Sequence, residues 1–243
     1  MQSIDISIHA TSDAANEAAA DLLTQWLTMP GVRNVMLAAG KTPLELYRLI
    51  GQRRLALSHV NLFALDEYVG VPLHEPRNCA NLIYRTAIKP WGVPARQYFI
   101  VSSREADALA SVQAHERRIT EAGGLDVIVL GLGQNGHLGF NEPGSAEDSV
   151  ARALDLDPIS IEANRQWFGG DYAPSRGVTV GMKTILAARR VLIMAYGAHK
   201  TAAVKAMLEG PPTERCPASL LQKHPAAHVF LDSAAAGALS PRR

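Results

Sequence analysis

Residues 126–143 read DVIVLGLGQNGHLGFNEP. The first five, Asp126 to Leu130, are almost entirely apolar, which predicts a β-strand buried on both faces. Four glycines follow between residues 131 and 139, so the strand runs into a tightly turning loop. A buried strand with a polar, glycine-rich loop at its carboxyl end is typical of a parallel α/β sheet whose ligand site lies at the strand ends.

Similar apolar runs occur on both sides of this strand, and a helical pattern follows most of them. NVMLAA at 34–39, NLFAL at 61–65 and VLIMA at 191–195 lack polar alternation, so each predicts a buried strand. Strands that alternate with helices indicate a parallel sheet with right-handed crossovers. The sequence therefore predicts an α/β fold, a doubly wound, mostly parallel sheet flanked by helices. The predicted strands are 3–10 (an edge strand), 34–39, 61–65, 97–101, 126–130, 191–195 and 229–231, and the predicted helices are 15–27, 43–50, 78–87, 106–122 and 198–208.

The segment 144–176 interrupts this alternation. It is rich in Gly, Pro, Ser and Asp, which predicts a long excursion. We expect residues 1–243 to form a single domain, with 144–176 as a candidate cover over the ligand site.

Composition excludes several classes of protein. The formal net charge is +1, so the chain lacks the basic excess that holds a nucleic-acid backbone. Its two cysteines, Cys79 and Cys216, have no metal-ligand spacing and favour reduced thiols. The first residues do not resemble a secretion signal, and no apolar stretch approaches the ~20 residues that span a bilayer. We therefore expect a cytoplasmic protein that binds neither membrane nor nucleic acid; no interface pattern decides whether it forms a homo-oligomer.

The first polar cluster is AGKTP at 39–43, after the strand 34–39. A glycine turn that leads into a helix offers free N–H groups and a positive dipole end to an anion. Gly40, Lys41 and Thr42 are therefore candidate phosphate ligands. The glycine spacing before Lys41 does not match a P-loop. The alternative is an ordinary turn in which Thr42 is the N-cap of the helix.

Asp66 and Glu67 form the second cluster, directly after the apolar run NLFAL. At the end of a strand, one carboxylate can reach a ligand while the other makes structural hydrogen bonds. Solvation of an exposed loop is the alternative explanation for such a pair.

The third cluster places His137 and Glu142 five residues apart on the glycine-rich loop. A carboxylate beside an imidazole orients it and raises its basicity. Gly131, Gly133 and Gly136 also match the spacing of a dinucleotide-binding turn. That motif requires a following helix, and HLGFNEP is not a helical sequence, so we reject this interpretation.

Two basic residues, Arg165 and Lys200, complete the set of candidates. Each could bind a phosphate, as arginine forks and lysine ammonium groups do, or could be an ordinary solvated surface charge.

Taken together and in this order, these clusters resemble the glucosamine-6-phosphate deaminase family, which is related in fold to the 6-phosphogluconolactonases. The resemblance covers nearly the whole chain, and the FNEP ending separates it from the lactonases. The matching segments are AGKTP, LDEYVG (65–70), GLGQNGHLGFNEPGS (131–145), ANR (163–165), SRGVTVGMKTILAARRVLIMAYGAHK (175–200) and CPASLLQKHP (216–225).

The resemblance implies a hexosamine 6-phosphate deaminase that needs no metal and no organic cofactor. Asp66 would move a proton between carbon 2 and carbon 1 of the open-chain sugar, after which ammonia is lost to water. His137 would serve ring opening, with Glu142 holding its imidazole. The short segment after the last predicted strand implies no amino-sugar effector site. The residues expected to bind substrate or its phosphate are Gly40, Lys41, Thr42, Glu67, Arg165 and Lys200.

Asn135 departs from the family, which usually has Asp at this position in the catalytic set. Asn can accept a hydrogen bond from the imidazole but carries no charge, so we expect His137 to be a weaker base, oriented by Glu142 alone. The Asn form resembles the branch assigned to galactosamine 6-phosphate, whose product would be tagatose 6-phosphate. This leaves the sugar epimer open. A 6-phosphogluconolactonase, or a sugar-phosphate-binding protein with impaired catalysis, are the alternative functions.

Overall fold

The computed structural model describes residues 4–170 and 173–241. The strands are β1 (Asp5–His9), β2 (Asn34–Leu37), β3 (Asn61–Ala64), β4 (Asp66–Tyr68), β5 (Tyr98–Phe99), β6 (Val127–Gly131), β7 (Arg152–Asp155), β8 (Arg176–Thr179), β9 (Val191–Ala195) and β10 (Ala227–Asp232). The α-helices are α1 (Ser12–Leu27), α2 (Leu44–Gln52), α3 (Cys79–Ile83), α4 (Ala108–Glu121), α5 (Pro158–Trp167), α6 (Met182–Leu186) and α7 (Thr201–Glu209). Shorter helical segments are the π-helical turn Tyr84–Ile88 and the 3-10 segments Ala95–Gln97, Ala198–Lys200 and Pro217–Lys223.

The main sheet has seven strands in the order β1-β10-β9-β6-β2-β3-β5, all paired in parallel. From β2 the chain winds outward through β3 to β5, and from β6 it winds the other way through β9 to β10. The strand order therefore reverses between β2 and β6. In sheets of this type the crevice at that reversal, beyond the carboxyl ends of the strands, is where ligands bind.

Side chains of the central strand alternate between two apolar layers. Val127 and Val129 pack with α1 and α2 on one face of the sheet. Ile128 and Leu130 pack with α4, α6 and α7 on the other face. Both faces are covered, which explains why the strand sequence lacks polar alternation. The predicted doubly wound, mostly parallel α/β fold is confirmed.

A second sheet was not predicted. Its three antiparallel strands lie in the order β4-β8-β7. Asp66 therefore begins a strand that pairs with β8, whereas the sequence suggested a loop. The excursion predicted at 144–176, to which the sequence assigned no helix or strand, contains β7, α5 and the first residue of β8. The sequences of β7 (RALD) and β8 (RGVT) are short and partly polar, so their pairing with distant residues, not their own pattern, makes them strands.

Several predicted boundaries also move. The strand predicted at 97–101 is limited to Tyr98–Phe99. The helix predicted at 78–87 is α-helical only over Cys79–Ile83 and continues as the π-helical turn. In the described part of the chain, no helix combines the length and the apolar character needed to cross a membrane.

Candidate active site

A cavity of about 660 Å³ lies at the reversal of strand order, a volume in the range of small-molecule sites. The loops after β2 and β6 form its base, and α5 forms one wall. Of the residues predicted from sequence, those that line it are Gly40, Lys41, Thr42, Asp66, His137 and Lys200. Residues that line it without having been predicted include Tyr68, Arg77, Cys79, Ser160, Gln166 and Trp167.

The loop at 39–42 has the features of an anion site. Gly40 has a φ of +107°, a conformation that favours glycine and turns the chain away from the strand. Within residues 4–170 and 173–241, no protein acceptor receives the N–H groups of Gly40, Lys41 and Thr42. The N-cap of α2 is Pro43, and no side chain caps this helix. The alternative in which Thr42 is the N-cap is therefore wrong, and these N–H groups lie beside the cavity.

Lys200 lies across the cavity, at the N-terminal end of α7. Burial lowers the pKa of its ammonium group to about 8, with no carboxylate opposing that shift. Within the described residues no carboxylate pairs with Lys200, so this half-buried cation is favourably placed to receive an anionic ligand. Lys41 also lines the cavity, and its Nζ lies 5.3 Å from the centroid of the Trp167 ring, a cation–π contact.

Arg165 does not line this cavity. Its side chain is exposed and its Nε lies 3.3 Å from Glu162 Oε2 on the same helix. The neighbouring Asn164 is buried, and its Oδ1 accepts a 2.8 Å hydrogen bond from the hydroxyl of Tyr68, which ties α5 to β4. Gln166 and Trp167, not Arg165, face the cavity.

Asp66 is the buried carboxylate of the cavity, with 5% of its surface exposed. Burial raises its pKa to about 8, the nearby Glu67 adds to the rise, and a hydrogen bond with Cys79 opposes it. A carboxylate with a pKa near neutrality can both take up and return a proton, which is the property of a general base.

Glu67, by contrast, does not line the cavity. Its carboxylate accepts the backbone N–H groups of Tyr68 (2.8 Å), Cys79 (3.1 Å) and Ala80 (3.0 Å). Two of these belong to the first turn of α3, whose free N–H groups require acceptors. Burial raises the pKa of Glu67 to about 7 despite these donors. Glu67 is therefore a structural residue. This agrees with the interpretation in which one acid of the pair reaches a ligand and the other makes structural hydrogen bonds.

His137 and Glu142 meet, as the sequence suggested. The imidazole Nδ1 lies 3.1 Å from Glu142 Oε2. A Cβ atom at Gly133 would lie only 2.4 Å from the imidazole ring, so the ring packs directly on the glycine backbone. Burial would raise the pKa of Glu142, but hydrogen bonds from His137, Ser160 and Asn135 outweigh it and lower the pKa. Glu142 is therefore an ionised carboxylate beside the imidazole.

Asn135 holds the loop and does not line the cavity. Its Nδ2 donates a 2.8 Å hydrogen bond to Glu142 Oε2, and its Oδ1 accepts the backbone N–H of His137 at 3.2 Å. The expectation that Asn135 accepts a hydrogen bond from the imidazole is therefore wrong. The expectation that Glu142 alone orients His137 is also wrong, because Ser160 Oγ lies 3.2 Å from the same Nδ1.

Ser160 is the polar contact that sequence analysis missed. It lies on α5, inside the excursion at 144–176, where no helix was predicted. The Asp157-Pro158 pair was the available signal for this helix, since Asp157 accepts the N–H of Ile159 as N-cap and Pro158 suits the first turn. Nothing in the local sequence indicated that Ser160 would reach His137.

Comparison with known proteins agrees with this geometry. The family described as glucosamine-6-phosphate isomerases/6-phosphogluconolactonase matches residues 7–230. A glucosamine-6-phosphate deaminase of Leuconostoc citreum is 37% identical over 90% of this chain and 91% of its own length. One of Cutibacterium acnes is 36% identical over 98% of this chain and 93% of its own length.

Two solved structures extend the comparison. A monomeric glucosamine-6-phosphate deaminase has a TM-score of 0.91 and 28% identity, and the match covers 96% of this chain and 99% of the other. A 6-phosphogluconolactonase from Trypanosoma cruzi has a TM-score of 0.81 at 19% identity, covers 99% of this chain and 98% of the other, and shares the fold. The resemblance drawn from the motifs is confirmed. The chain belongs to the glucosamine-6-phosphate isomerase/6-phosphogluconolactonase family.

Proposed function

We propose that this chain is a glucosamine-6-phosphate deaminase, which converts glucosamine 6-phosphate and water to fructose 6-phosphate and ammonia. The observation that carries the proposal is that one cavity contains Asp66, the His137 imidazole held by Glu142, and the anion-binding loop at 39–42. An aldose–ketose isomerisation of a phosphorylated sugar needs a base, a group for ring opening and a phosphate site.

The phosphate would bind at the 39–42 loop, with Lys200 as its positive partner. Backbone N–H groups of Gly40, Lys41 and Thr42 supply hydrogen bonds, and the N-terminus of α2 adds its dipole. Arg165 faces solvent outside the cavity and is not one of the proposed phosphate ligands.

Ring opening would use His137. Because Nδ1 is held by Glu142, the other ring nitrogen is left to exchange a proton with the ring oxygen of the sugar. Opening the ring gives the free aldehyde at carbon 1, which makes the proton on carbon 2 acidic.

Asp66 would then take the carbon 2 proton and return it to carbon 1. Removal gives an enolamine, with a double bond between carbons 1 and 2. Protonation at carbon 1 turns it into an imine at carbon 2. Water adds to the imine carbon and ammonia leaves, which gives the ketone of fructose 6-phosphate.

Residues 144–176 would form a cover over this reaction within a single domain. Its helix α5 lines the cavity through Ser160 and Trp167. Exclusion of water by such a cover strengthens the electrostatic contacts of the site and protects the enolamine.

The structure offers no basis for linking Asn135 to the epimer at carbon 4. Both polar atoms of its side chain are used within the loop, and it does not face the cavity. We therefore propose glucosamine 6-phosphate as the substrate, as the names of the relatives suggest, and not galactosamine 6-phosphate. Since a charged sugar phosphate does not cross a bilayer unaided, we also propose a cytoplasmic location.

Replacing Lys200 with methionine should raise KM about 10-fold or more, the usual loss for a hydrogen bond to a charged group, with kcat within about 3-fold. Arg165→Ala is the control, since its side chain faces solvent, and should change KM less than about 2-fold. Steady-state kinetics of both variants measure this. A larger rise of KM in Arg165→Ala than in the Lys200 variant would contradict the proposed phosphate site.

The pH profile of kcat/KM should be bell-shaped with a maximum near pH 8. On the acid side, Asp66 must be ionised to act as a base, and its pKa is raised to about 8. On the alkaline side, Lys200 loses its charge, because burial lowers its pKa to about 8. Initial rates between pH 6 and pH 10 at constant ionic strength test this, and a flat profile from pH 6 to pH 8 would contradict it.

Ammonia release provides the direct test of the function. Purified protein is assayed with glucosamine 6-phosphate, galactosamine 6-phosphate and 6-phosphogluconolactone side by side. We expect ammonia and fructose 6-phosphate from the first substrate at the highest kcat/KM. Lactone hydrolysis without ammonia would instead support a lactonase, and substrate-dependent thermal stabilisation without any turnover would support a binding protein.

A further inference from the structure

Ser160 is a buried hydroxyl for which the proposed chemistry has no role. It lies in the first turn of α5 with 6% of its surface exposed. Its Oγ is 3.2 Å from His137 Nδ1, the same nitrogen that lies 3.1 Å from Glu142 Oε2. Two oxygens from different parts of the chain therefore converge on one imidazole nitrogen.

The directions of these hydrogen bonds follow from what each group can donate. An ionised Glu142 only accepts, so Nδ1 must carry the proton that faces it. The Ser160 oxygen can accept a share of that same proton. Its own proton can then be donated to the carboxylate of Glu142, which also accepts from Asn135 Nδ2 at 2.8 Å. Among these four side chains, only the Nδ1–H form of His137 gives each of the described hydrogen bonds both a donor and an acceptor.

We propose that Ser160 is a positioning residue, through which α5 adds to Glu142 in holding the tautomer and the ring orientation of His137 for ring opening. The kinetic part of this inference rests on the proposed function. The structural part, the effect of Ser160 on the imidazole, does not.

The position of Ser160 depends on how α5 packs against the rest of the domain. Asn164, one turn further along the helix, is held by the Tyr68 hydroxyl at 2.8 Å. Trp167, at the end of the helix, lies against the ammonium of Lys41, with its ring centroid 5.3 Å away. Both anchors connect α5 to loops and strands that line the substrate cavity. The hydroxyl therefore reaches His137 when α5 is seated over that cavity, so the imidazole is fully oriented only in the covered site.

Ser160→Ala should lower kcat about 10-fold while KM changes less than about 2-fold, because the lost hydrogen bond acts on the reacting imidazole and not on substrate binding. Ser160→Thr keeps the hydroxyl and should recover most of the rate. Glu162→Ala is the matched control on the exposed face of the same helix, and its kcat should stay within about 2-fold of the wild type. An equal loss in Ser160→Ala and Glu162→Ala would mean that the helix as a whole, and not the hydroxyl, was responsible.

A double-mutant cycle separates positioning from general destabilisation. If Ser160 acts through the His137–Glu142 pair, Ser160→Ala should cost much less in a Glu142→Gln background than in the wild type. The same fold-loss in both backgrounds would overturn the inference.

Nitrogen-15 NMR of the imidazole gives a readout that needs no activity. His137 is assigned by the signal that disappears in His137→Gln. We expect the Nδ1–H form in the wild-type protein and an increased Nε2–H fraction in Ser160→Ala; an unchanged tautomer ratio would overturn the inference. If Ser160→Ala does not fold, Ser160→Cys, a similar volume with a weak donor, gives the same comparison. A wild-type protein that releases no ammonia would refute the proposed function, while the NMR result would still decide the role of Ser160.

Discussion

Asp66→Asn should lower kcat for ammonia release from glucosamine 6-phosphate by about 1,000-fold, within the range of 10²–10⁴ associated with loss of a general base. The amide keeps the shape of the carboxylate but cannot accept the carbon 2 proton. KM should change less than about 3-fold, because the proposed phosphate site lies elsewhere in the cavity. Steady-state assays of ammonia measure both constants. Residual activity above about a tenth of the wild type would exclude Asp66 as the base.

Above neutral pH, Asp66→Asn should be at least as stable as the wild type. Burial raises the pKa of Asp66 in the folded protein to about 8, from its ordinary value of 3.8. Its contribution to stability is therefore fully present below about pH 4 and is lost as the pH rises towards 8. Asparagine removes this dependence, so the free energy of unfolding of Asp66→Asn should fall less between pH 5 and pH 8. Urea titrations at the two pH values test this, and they also serve as the folding control.

His137→Gln should lower kcat/KM by about 100-fold or more, the lower part of the range for acid–base groups. Without the imidazole, the site must wait for open-chain sugar that forms in solution, so some activity should remain. The residual rate should then respond to conditions that accelerate spontaneous ring opening, whereas the wild-type rate should not. Measuring both rates over a range of buffer concentrations tests this.

Gly133→Ala provides a related control, because it leaves the imidazole in place but displaces it. A Cβ atom at Gly133 would lie 2.4 Å from ring atoms of His137. A loss comparable to that of His137→Gln would show that the position of the ring matters as much as its presence. Wild-type kinetics in both variants would contradict a role for His137.

The apolar runs predicted the strands of the main sheet, because a strand that is buried on both faces is apolar along its whole length, whichever strand it pairs with. Both ends of the strand Val191–Ala195 were predicted correctly. The strand predicted at 126–130 differs by one residue at each end from the observed Val127–Gly131. The second sheet could not be found in this way. Its strands are short, and β4, DEY, carries the two acids that suggested a loop.

The candidate site was predictable where residues follow buried strands directly. Gly40, Asp66 and His137 lie at the cavity because the ends of parallel strands converge there. The prediction that Arg165 binds the phosphate was wrong, because the direction of its side chain depends on the rotation of α5. That helix had not been predicted. The α5 residues that line the cavity form two adjacent helical rows, 159/163/166 and 160/164/167, and Arg165 falls outside both.

The contacts of Glu67 and Ser160 could not be predicted from the sequence. Glu67 stands next to Asp66 but points to α3, since successive residues on a strand face opposite sides. Ser160 is 23 residues from His137 in the chain, and only the packing of α5 brings the two together. Contacts of this kind depend on tertiary structure, and a local sequence pattern does not predict them.

The fate of the hydrogen on carbon 2 tests the central claim most directly. Glucosamine 6-phosphate carrying deuterium at carbon 2 is converted by the wild-type protein, and the product is analysed by NMR and mass spectrometry. We predict slower release of ammonia than from unlabelled substrate, with the deuterium recovered at carbon 1 of fructose 6-phosphate or in water. Release of ammonia with the deuterium retained at carbon 2 of an aldose product would mean direct displacement by water, and would contradict proton transfer by Asp66.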